Sequence, residues 1–242
     1  MTTPPTFAPR LDARLEAVLS LIQADTHADI GTDHAGLPIR LVQLGRVRRC
    51  IGIELNAPPL ALARRQVARA GLSGQIDLRQ GDGLAPLQPG EAESVSMTGL
   101  GAGTIAAVLE RGRQAGRLPA RAVVQCNDSP LSLRRWARVA GYWLSAETLA
   151  HGHWPYPVLA LTRAAGTDPA YGDLPLEAAL RFGPRLLRER HPLLRRVLAD
   201  AYGRYAPAAA PGRPAADELA AVLAALEYLG WTARDLQEER QS

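Results

Sequence analysis

Apolar residues recur at helical spacing near the start of the chain. Leu11, Leu15, Val18, Leu19 and Ile22 fall on one face, which predicts an amphipathic helix over residues 10–24. The pattern then becomes short apolar runs separated by helical stretches. Residues 28–30 read as a short strand ending in a glycine turn, 37–44 as a helix and 50–55 as a buried strand. Residues 58–70 read as a helix opened by proline and stopped by Gly71. Strands are predicted at 76–79, 94–97 and 122–125, and helices at 105–111 and 131–140. Two further strands, 143–149 and 157–161, leave no room for a helix between them, so they should pair antiparallel. Strands alternating with helices imply crossovers and a parallel sheet. The expected fold is therefore α/β, Rossmann-like, parallel with one antiparallel strand.

After about Asp168 the strand pattern ends. Leu176, Leu180, Leu186, Leu187, Leu193, Leu194, Val197 and Leu198 form a helical apolar face, interrupted at Pro184 and Pro192. Residues 206–216 are a Pro/Ala/Gly connector, and 217–229 form a second helix that extends toward residue 240. The expectation is an α/β domain over 1–168 and a C-terminal helical hairpin over 169–242.

Composition narrows the setting. The chain has 242 residues, 47% hydrophobic and 21% charged, as in an ordinary globular protein. That length buries a core without disulfides or a structural metal. The uncharged run 94–109 is broken by Gly99, Gly101 and Gly103, so it does not read as a membrane span. Residues 1–9 lack a signal-peptide pattern. Cys50 and Cys126 make neither a disulfide framework nor a metal clip, so a reducing cytoplasm and no metal are expected; a monomer is expected as well.

All 28 basic residues are arginine, against 24 acids. They cluster in three blocks, 40–69, 111–138 and 181–204, each with seven arginines, while 77–110 is net acidic. Arginine forks on such surfaces suit a polyanion. A solvated helical surface, and a coding bias toward arginine, account for the same pattern.

The candidate chemistry lies at the strand ends. The first turn reads Asp29-Ile30-Gly31-Thr32-Asp33-His34-Ala35-Gly36, where glycine brings backbone close to a ligand and a helix follows. A dinucleotide fingerprint from Gly31 would need glycine at Asp33. A negative Asp33 disfavours a pyrophosphate and suits a cationic head such as that of S-adenosyl-L-methionine. Glu54, before Leu55, ends the second strand where an acid accepts from ribose hydroxyls. Asp82, flanked by Gly81 and Gly83, ends the third and could accept from an adenine amino group; an ordinary turn aspartate looks the same. Acids at the ends of three successive strands, where open α/β sheets bind ligands, point to a class I S-adenosyl-L-methionine-dependent methyltransferase. After the fourth strand, Gly99-Leu100-Gly101 is a flexible loop with backbone groups for a base. Thr104 stands where a dinucleotide loop needs its third glycine. Asn56-Ala57-Pro58-Pro59 imitates an amino-methyltransferase motif but follows the wrong strand, so it reads as a helix start. Asn127 after the fifth strand suits a base edge or a turn cap. His151, His153, Trp154 and Tyr156 cluster in a loop without a third metal ligand, where the aromatics pack or stack on a base. Hydrolase and phosphate-loop motifs are absent from the sequence.

The sequence resembles the bacterial tRNA adenine-22 N1-methyltransferases. The resemblance rests on the 28–38 turn and on Arg64-Arg65-Gln66-Val67, Gly71-Leu72, Arg79-Gln80-Gly81-Asp82-Gly83-Leu84 and Gly99-Leu100-Gly101. Gln125-x-Asn127, Tyr171 and Gly183-Pro184 extend it over most of the chain. Departures are Gly36 for the family's usual tyrosine, Gly99-Leu100-Gly101-Ala102 for Gly-Met-Gly-Gly, and Cys126 for the proline of Gln-Pro-Asn. The resemblance implies a cofactor domain with a helical extension, and S-adenosyl-L-methionine held by Asp29, Gly31, Thr32, Asp33, His34, Glu54, Leu55, Asp82, Gly83, Gly99 and Gly101. It implies methylation of an adenine N1 in tRNA, with RNA phosphates on the arginine blocks. N1 is itself nucleophilic, so placement is the main task. An acceptor near the exocyclic amino group would stabilise the cationic product, and Asp33, Asn127 and the 99–101 carbonyls are the candidates. The alternatives are another methyl acceptor, a catalytically silent cofactor- or RNA-binding module and, more distantly, a dehydrogenase.

Overall fold

The computed structural model describes residues 7–239. Strands β1 (Ala24–Ile30), β2 (Val47–Glu54), β3 (Ile76–Gln80), β4 (Ser94–Leu100), β5 (Arg121–Cys126), β6 (Tyr142–Ala150) and β7 (Tyr156–Arg163) form one sheet in the order β3-β2-β1-β4-β5-β7-β6. The first five run parallel, and β7 alone is antiparallel to its neighbours β5 and β6. This is the expected Rossmann-like sheet. Its order reverses between β1 and β4, which places a crevice outside the carboxyl ends of those strands.

Helices α1 (Ala13–Leu21), α2 (Gly36–Gln43) and α3 (Ala57–Arg69) lie in the first half, and α4 (Ala102–Gln114) and α5 (Leu131–Ala140) in the second. The Asp12 carboxylate caps α1 by accepting from the Leu15 N–H at 3.0 Å. Asp128 Oδ1 accepts from the Ala102 N–H at 2.7 Å, so α4 begins three residues before the apolar periodicity does. β1 likewise starts four residues earlier than its apolar run. Its interior positions His27 and Asp29 are polar yet buried, satisfied by hydroxyls of β4 instead of water.

Among the described residues the C-terminal region holds five α-helices rather than two: α6 (Leu176–Phe182), α7 (Pro184–Arg188), α8 (Leu194–Tyr205), α9 (Pro214–Leu229) and α10 (Ala233–Glu239). Gly183 with Pro184, and then Pro192, divide the long periodic stretch. Gly230, left-handed at φ 67°, ends α9, so that helix does not run on; residue 240 lies outside the described residues. α8 and α9 form the hairpin, and α10 folds back on α8.

One apolar core runs from Ile53, Val95 and Val124 of the sheet through Ile105 and Leu133 to Leu198, Val222 and Leu226 of α8 and α9. A second fills the opposite face beneath α1, α2 and α3 with Val18, Ile39, Leu41, Ala63 and Val67. At the expected boundary, the buried Asp168 accepts from the Leu144 and Ala170 N–H groups at 2.7 and 2.9 Å. A buried ion pair fastens the first helices of the extension. Arg134 of α5 donates to Glu147 Oε1 of β6 through Nε and Nη2 at 2.9 and 2.7 Å. Its Nη1 donates to the carbonyls of Leu180 and Arg181, each at 2.8 Å. Gly183 has no room for a side chain here, because a Cβ would lie 2.5 Å from Glu147 Oε2. Among the described residues no helix is long and apolar enough to cross a membrane.

Candidate functional site

Two cavities open on the crevice side of the sheet. The first, about 470 Å³, is lined by Asp29, Gly31, Thr32, Asp33, His34, Thr98, Gly99 and Gln125, with Phe7, Leu11 and Arg14 across from them. That volume lies within the range of small-molecule sites. Asp29, the penultimate residue of β1, is its chemical centre. It is buried, and its Oδ1 accepts from the Ser96 hydroxyl at 2.6 Å. Burial pushes its carboxyl up to about 6 against that hydrogen bond, and the nearby Glu54 charge pushes the same way. Among the described residues no arginine or histidine charge acts on it, so the buried carboxylate has no counter-cation there. An anion in that position suits a cationic ligand.

The turn after β1 works differently from the expected cradle. The Gly31 and Thr32 N–H groups both donate to the Ile53 carbonyl, at 2.8 and 3.1 Å. The Asp33 N–H donates to Glu54 Oε2 at 3.2 Å. The backbone donors of residues 31–33 therefore tie the turn to β2 instead of facing a ligand. Gly31, Asp33 and Ala35 all adopt positive φ, at 72°, 49° and 57°. Left-handed backbone at two non-glycine residues is local strain, and it sits at the cavity wall. Asp33 is exposed at the rim, 3.0 Å from His34 Nδ1.

Glu54 ends β2 with its Oε1 accepting from the Asn56 N–H at 2.9 Å. A carboxylate has about four acceptor sites, so capacity for hydroxyl donors remains. Leu55 is exposed, and its carbonyl accepts from the Gln80 side chain at 3.2 Å. Asp82 is exposed, pairs with Arg111 at 3.3 Å and lies outside the cavity lining, with Gly83 beside it against Val108. At Gly36, a Cβ would stand 3.4 Å from Leu11, so the N-terminal segment occupies the space beside it.

Residues 99–101, expected as a flexible loop, are instead the clamped end of β4 and the residue before α4. Gly99, at φ 76° with open space where a Cβ would point, interrupts the β4–β5 register. Its N–H donates to Gln125 Oε1 at 3.0 Å, and its carbonyl accepts from Asn127 Nδ2 at 2.7 Å. Gln125 Nε2 in turn donates to Asn127 Oδ1 at 3.2 Å. Gly101 stands before the α4 start held by Asp128, and a Cβ there would lie 3.1 Å from Asp128 Oδ2. Cys126 is buried between these residues, and burial pushes its thiol up to about 12, so it packs as a neutral group.

The second cavity, about 460 Å³, lies between the end of β5, the 151–155 loop with the start of β7, and helices α6 and α8. Asn127, Trp154, Phe182, Arg204 and Tyr205 are among its walls. Trp154 lines this cavity and is 38% exposed, more than a packed core aromatic would be. Asn127 on this cavity holds Gly99 on the first, so the clamp is the partition between the two. His151 and His153 are exposed in the 151–155 loop while Tyr156, expected in that loop, opens β7, and among the described residues no group of three or more metal-binding side chains forms.

The sequence pattern did not bring out Asp128, His27 or Ser96, and Gln125 entered only through the Gln125-x-Asn127 resemblance. His27 and Asp29 face Ser94 and Ser96 in register across β1 and β4. Matched polar alternation on two central strands is the signal that finds them. Asp128 and Gln125 act on residues 26 positions away, and nothing local marks them.

Comparison with known proteins agrees with this geometry. The family model described as tRNA (adenine(22)-N(1))-methyltransferase matches residues 27–227. The tRNA (adenine(22)-N(1))-methyltransferase of Bacillus subtilis strain 168 is 32% identical over 183 residues, 75% of this chain and 77% of the relative. The crystal structure of the Bacillus subtilis m1A22 tRNA methyltransferase superposes with a TM-score of 0.79 at 29% identity, over 91% of this chain and 97% of that one. A Streptococcus pneumoniae protein solved in complex with S-adenosyl-L-methionine superposes with a TM-score of 0.79 at 27% identity, over 91% of this chain and all (100%) of the other.

Proposed function

The chain belongs to the tRNA (adenine(22)-N(1))-methyltransferase family, and from this premise we propose how its two cavities perform the reaction. The protein uses S-adenosyl-L-methionine to methylate N1 of an adenine in tRNA. The cofactor supplies an electrophilic methyl group on a positively charged sulfur.

The first cavity holds the cofactor. The uncompensated Asp29 carboxylate faces its cationic portion, Glu54 offers its spare acceptor sites to ribose hydroxyls, and Asp82 lies at the far strand end for the adenine amino group. Gly31, Thr32 and His34 form the adjoining wall, with Leu55 and Gly83 at the edge. Glycine at 99 and 101 lets the end of β4 pass close to the cofactor without a side chain in the way.

The second cavity takes the acceptor nucleotide. Adenine N1 lies on the pairing edge, so a paired target must leave its stack. The partly exposed Trp154 and Tyr205, both lining this cavity, provide stacking surfaces. Asn127 uses one amide N–H on Gly99 and one Oδ1 lone pair on Gln125, leaving one of each for a base edge. N1 already carries a lone pair, so these residues place and desolvate it rather than deprotonate it. Asp33, at the rim, compensates the cationic product base.

Arginine contacts with RNA are selective. In the middle block Arg111, Arg113, Arg121, Arg134 and Arg135 pair with Asp82, Glu110, Glu93, Glu147 and Glu177. Arg64, Arg65, Arg190, Arg196 and Arg204 are exposed, and we assign phosphate contact to the first and third blocks. The protein acts as a monomer whose helical extension, residues 169–242, braces the tRNA body. A tRNA substrate supports a cytoplasmic location.

The observation that carries the reading is the buried, unpaired Asp29 carboxylate on a cavity where the sheet order reverses. Incubation with S-adenosyl-L-methionine and unmodified tRNA, followed by primer extension, tests it. A reverse-transcription stop at one adenine is expected, because N1 methylation blocks pairing. Methyl incorporation without a stop would assign a different acceptor atom, and no incorporation would contradict the activity.

A further inference from the structure

His27 lies two residues before Asp29 on β1, is fully buried and lines neither cavity. Its Nε2 is 2.8 Å from Ser96 Oγ, its Nδ1 is 2.7 Å from Ser94 Oγ, and Ser96 Oγ is 2.6 Å from Asp29 Oδ1. The four side chains form an unbroken row under the cavity floor. We infer that Ser96 and His27 are positioning residues that keep the Asp29 carboxylate charged and turned toward the cofactor, an inference resting on the cofactor assignment above.

The chemistry fixes the direction of the row. A charged carboxylate only accepts, so the Ser96 hydroxyl must donate to it. Ser96 oxygen then takes its own hydrogen bond from His27, which puts the imidazole proton on Nε2. Nδ1 is left bare, and the Ser94 hydroxyl donates to it. Each donor polarises the next toward Asp29. A row ending in an imidazolium would make His27 a counter-ion, but burial and the Arg121 charge push this histidine down to about 3, so it stays neutral. The row thus supports the anion through dipoles alone and leaves its charge for a ligand.

Other groups bear on the same carboxylate. Glu54 of β2 adds a like charge, Cys50 of β2 is held as a neutral thiol by burial, and Arg121 of β5 acts on His27. The Thr32 hydroxyl in the turn after β1 also favours the charged form, but less than the Ser96 donor, which is the strongest specific support for it.

The test is the pH dependence of S-adenosyl-L-methionine affinity, measured by calorimetry from pH 5 to 9. In the native protein affinity falls as pH drops through about 6, where Asp29 protonates. Ser96→Ala moves that midpoint up by about one to two pH units, the worth of one charge-assisted hydrogen bond. At pH 9 its affinity returns to the native value, and Ser96→Thr restores the native midpoint. His27→Leu moves it in the same direction by less. A weakening equal at every pH, or an unmoved midpoint, overturns the inference. Failure of the native protein to bind at any pH overturns the cofactor assignment instead. Nitrogen-15 NMR of the native protein tests the row without ligand or mutation: neutral His27 with its proton on Nε2 is expected at pH 8, and a proton on Nδ1 overturns the proposed direction.

Discussion

Two buried polar networks divide the labour of this molecule. The Arg134–Glu147 network closes on itself. Charge meets opposite charge, the leftover guanidinium hydrogens meet the Leu180 and Arg181 carbonyls, and Glu147 Oε2 meets the Arg185 N–H at 3.3 Å. The network of Ser94, His27, Ser96 and Asp29 does not close. It ends in a negative charge at a cavity wall, with only hydroxyl and imidazole dipoles behind it. The first joins the sheet to the helices that follow, and the second holds electrostatic potential ready for a ligand. A buried charge that is fully matched reports architecture, and one left unmatched at a cavity reports function.

Removing one partner should break the two networks in opposite senses. The largest effect is expected for Arg134→Met, which strands a buried Glu147. It should destabilise the fold by about 3–5 kcal/mol in denaturant unfolding, while the molecules that remain folded keep their cofactor affinity. Asp29→Asn should do the reverse. The asparagine still accepts from Ser96 but carries no charge to desolvate. The folded carboxyl, at about 6, lies above its ordinary 3.8, so its ionisation opposes folding at high pH. The cost is complete above about pH 6 and vanishes below about pH 4. The variant should therefore be more stable than the native protein by about 3 kcal/mol at pH 7 and no more stable at pH 3.5. Unfolding curves at both pH values measure this difference.

Smaller effects sharpen the contrast. Trp154→Ala should raise the KM for tRNA by about 1–3 kcal/mol of lost stacking and leave cofactor affinity unchanged. Steady-state kinetics with each substrate varied separates the two. Arg111→Ala, which breaks the exposed pair with Asp82, should change stability by less than about 1 kcal/mol. A larger loss would mean that this pair belongs with the closed network.

The acids at the strand ends were legible because each stands where an apolar run stops. Asp29 emerged from the glycine turn that follows it and Glu54 from its place at the end of a buried apolar strand, and the β-α order emerged with them. The polar start of β1 was not legible, since Thr26-His27 carries no apolar signal and its burial depends on Ser94 and Ser96 far along the chain. The roles of Gln125, which entered only through the Gln125-x-Asn127 resemblance, and of Asp128 were not legible either, because their partners Gly99 and Ala102 meet them only when β4 and β5 pair. The turn at Gly31 was placed correctly, but its N–H groups serve the Ile53 carbonyl of the neighbouring strand, a choice that only sheet register decides. Arg111 and Arg121 read as RNA-facing charge until the fold supplied Asp82 and Glu93.

The most direct test of the central claim is titration calorimetry of S-adenosyl-L-methionine into the native protein and the Asp29→Asn variant at pH 8. Binding of one cofactor per chain by the native protein, and its loss in a variant that is folded and more stable, is the predicted result. Equal affinity in the two proteins would show that the unmatched carboxylate is not what holds the methyl donor.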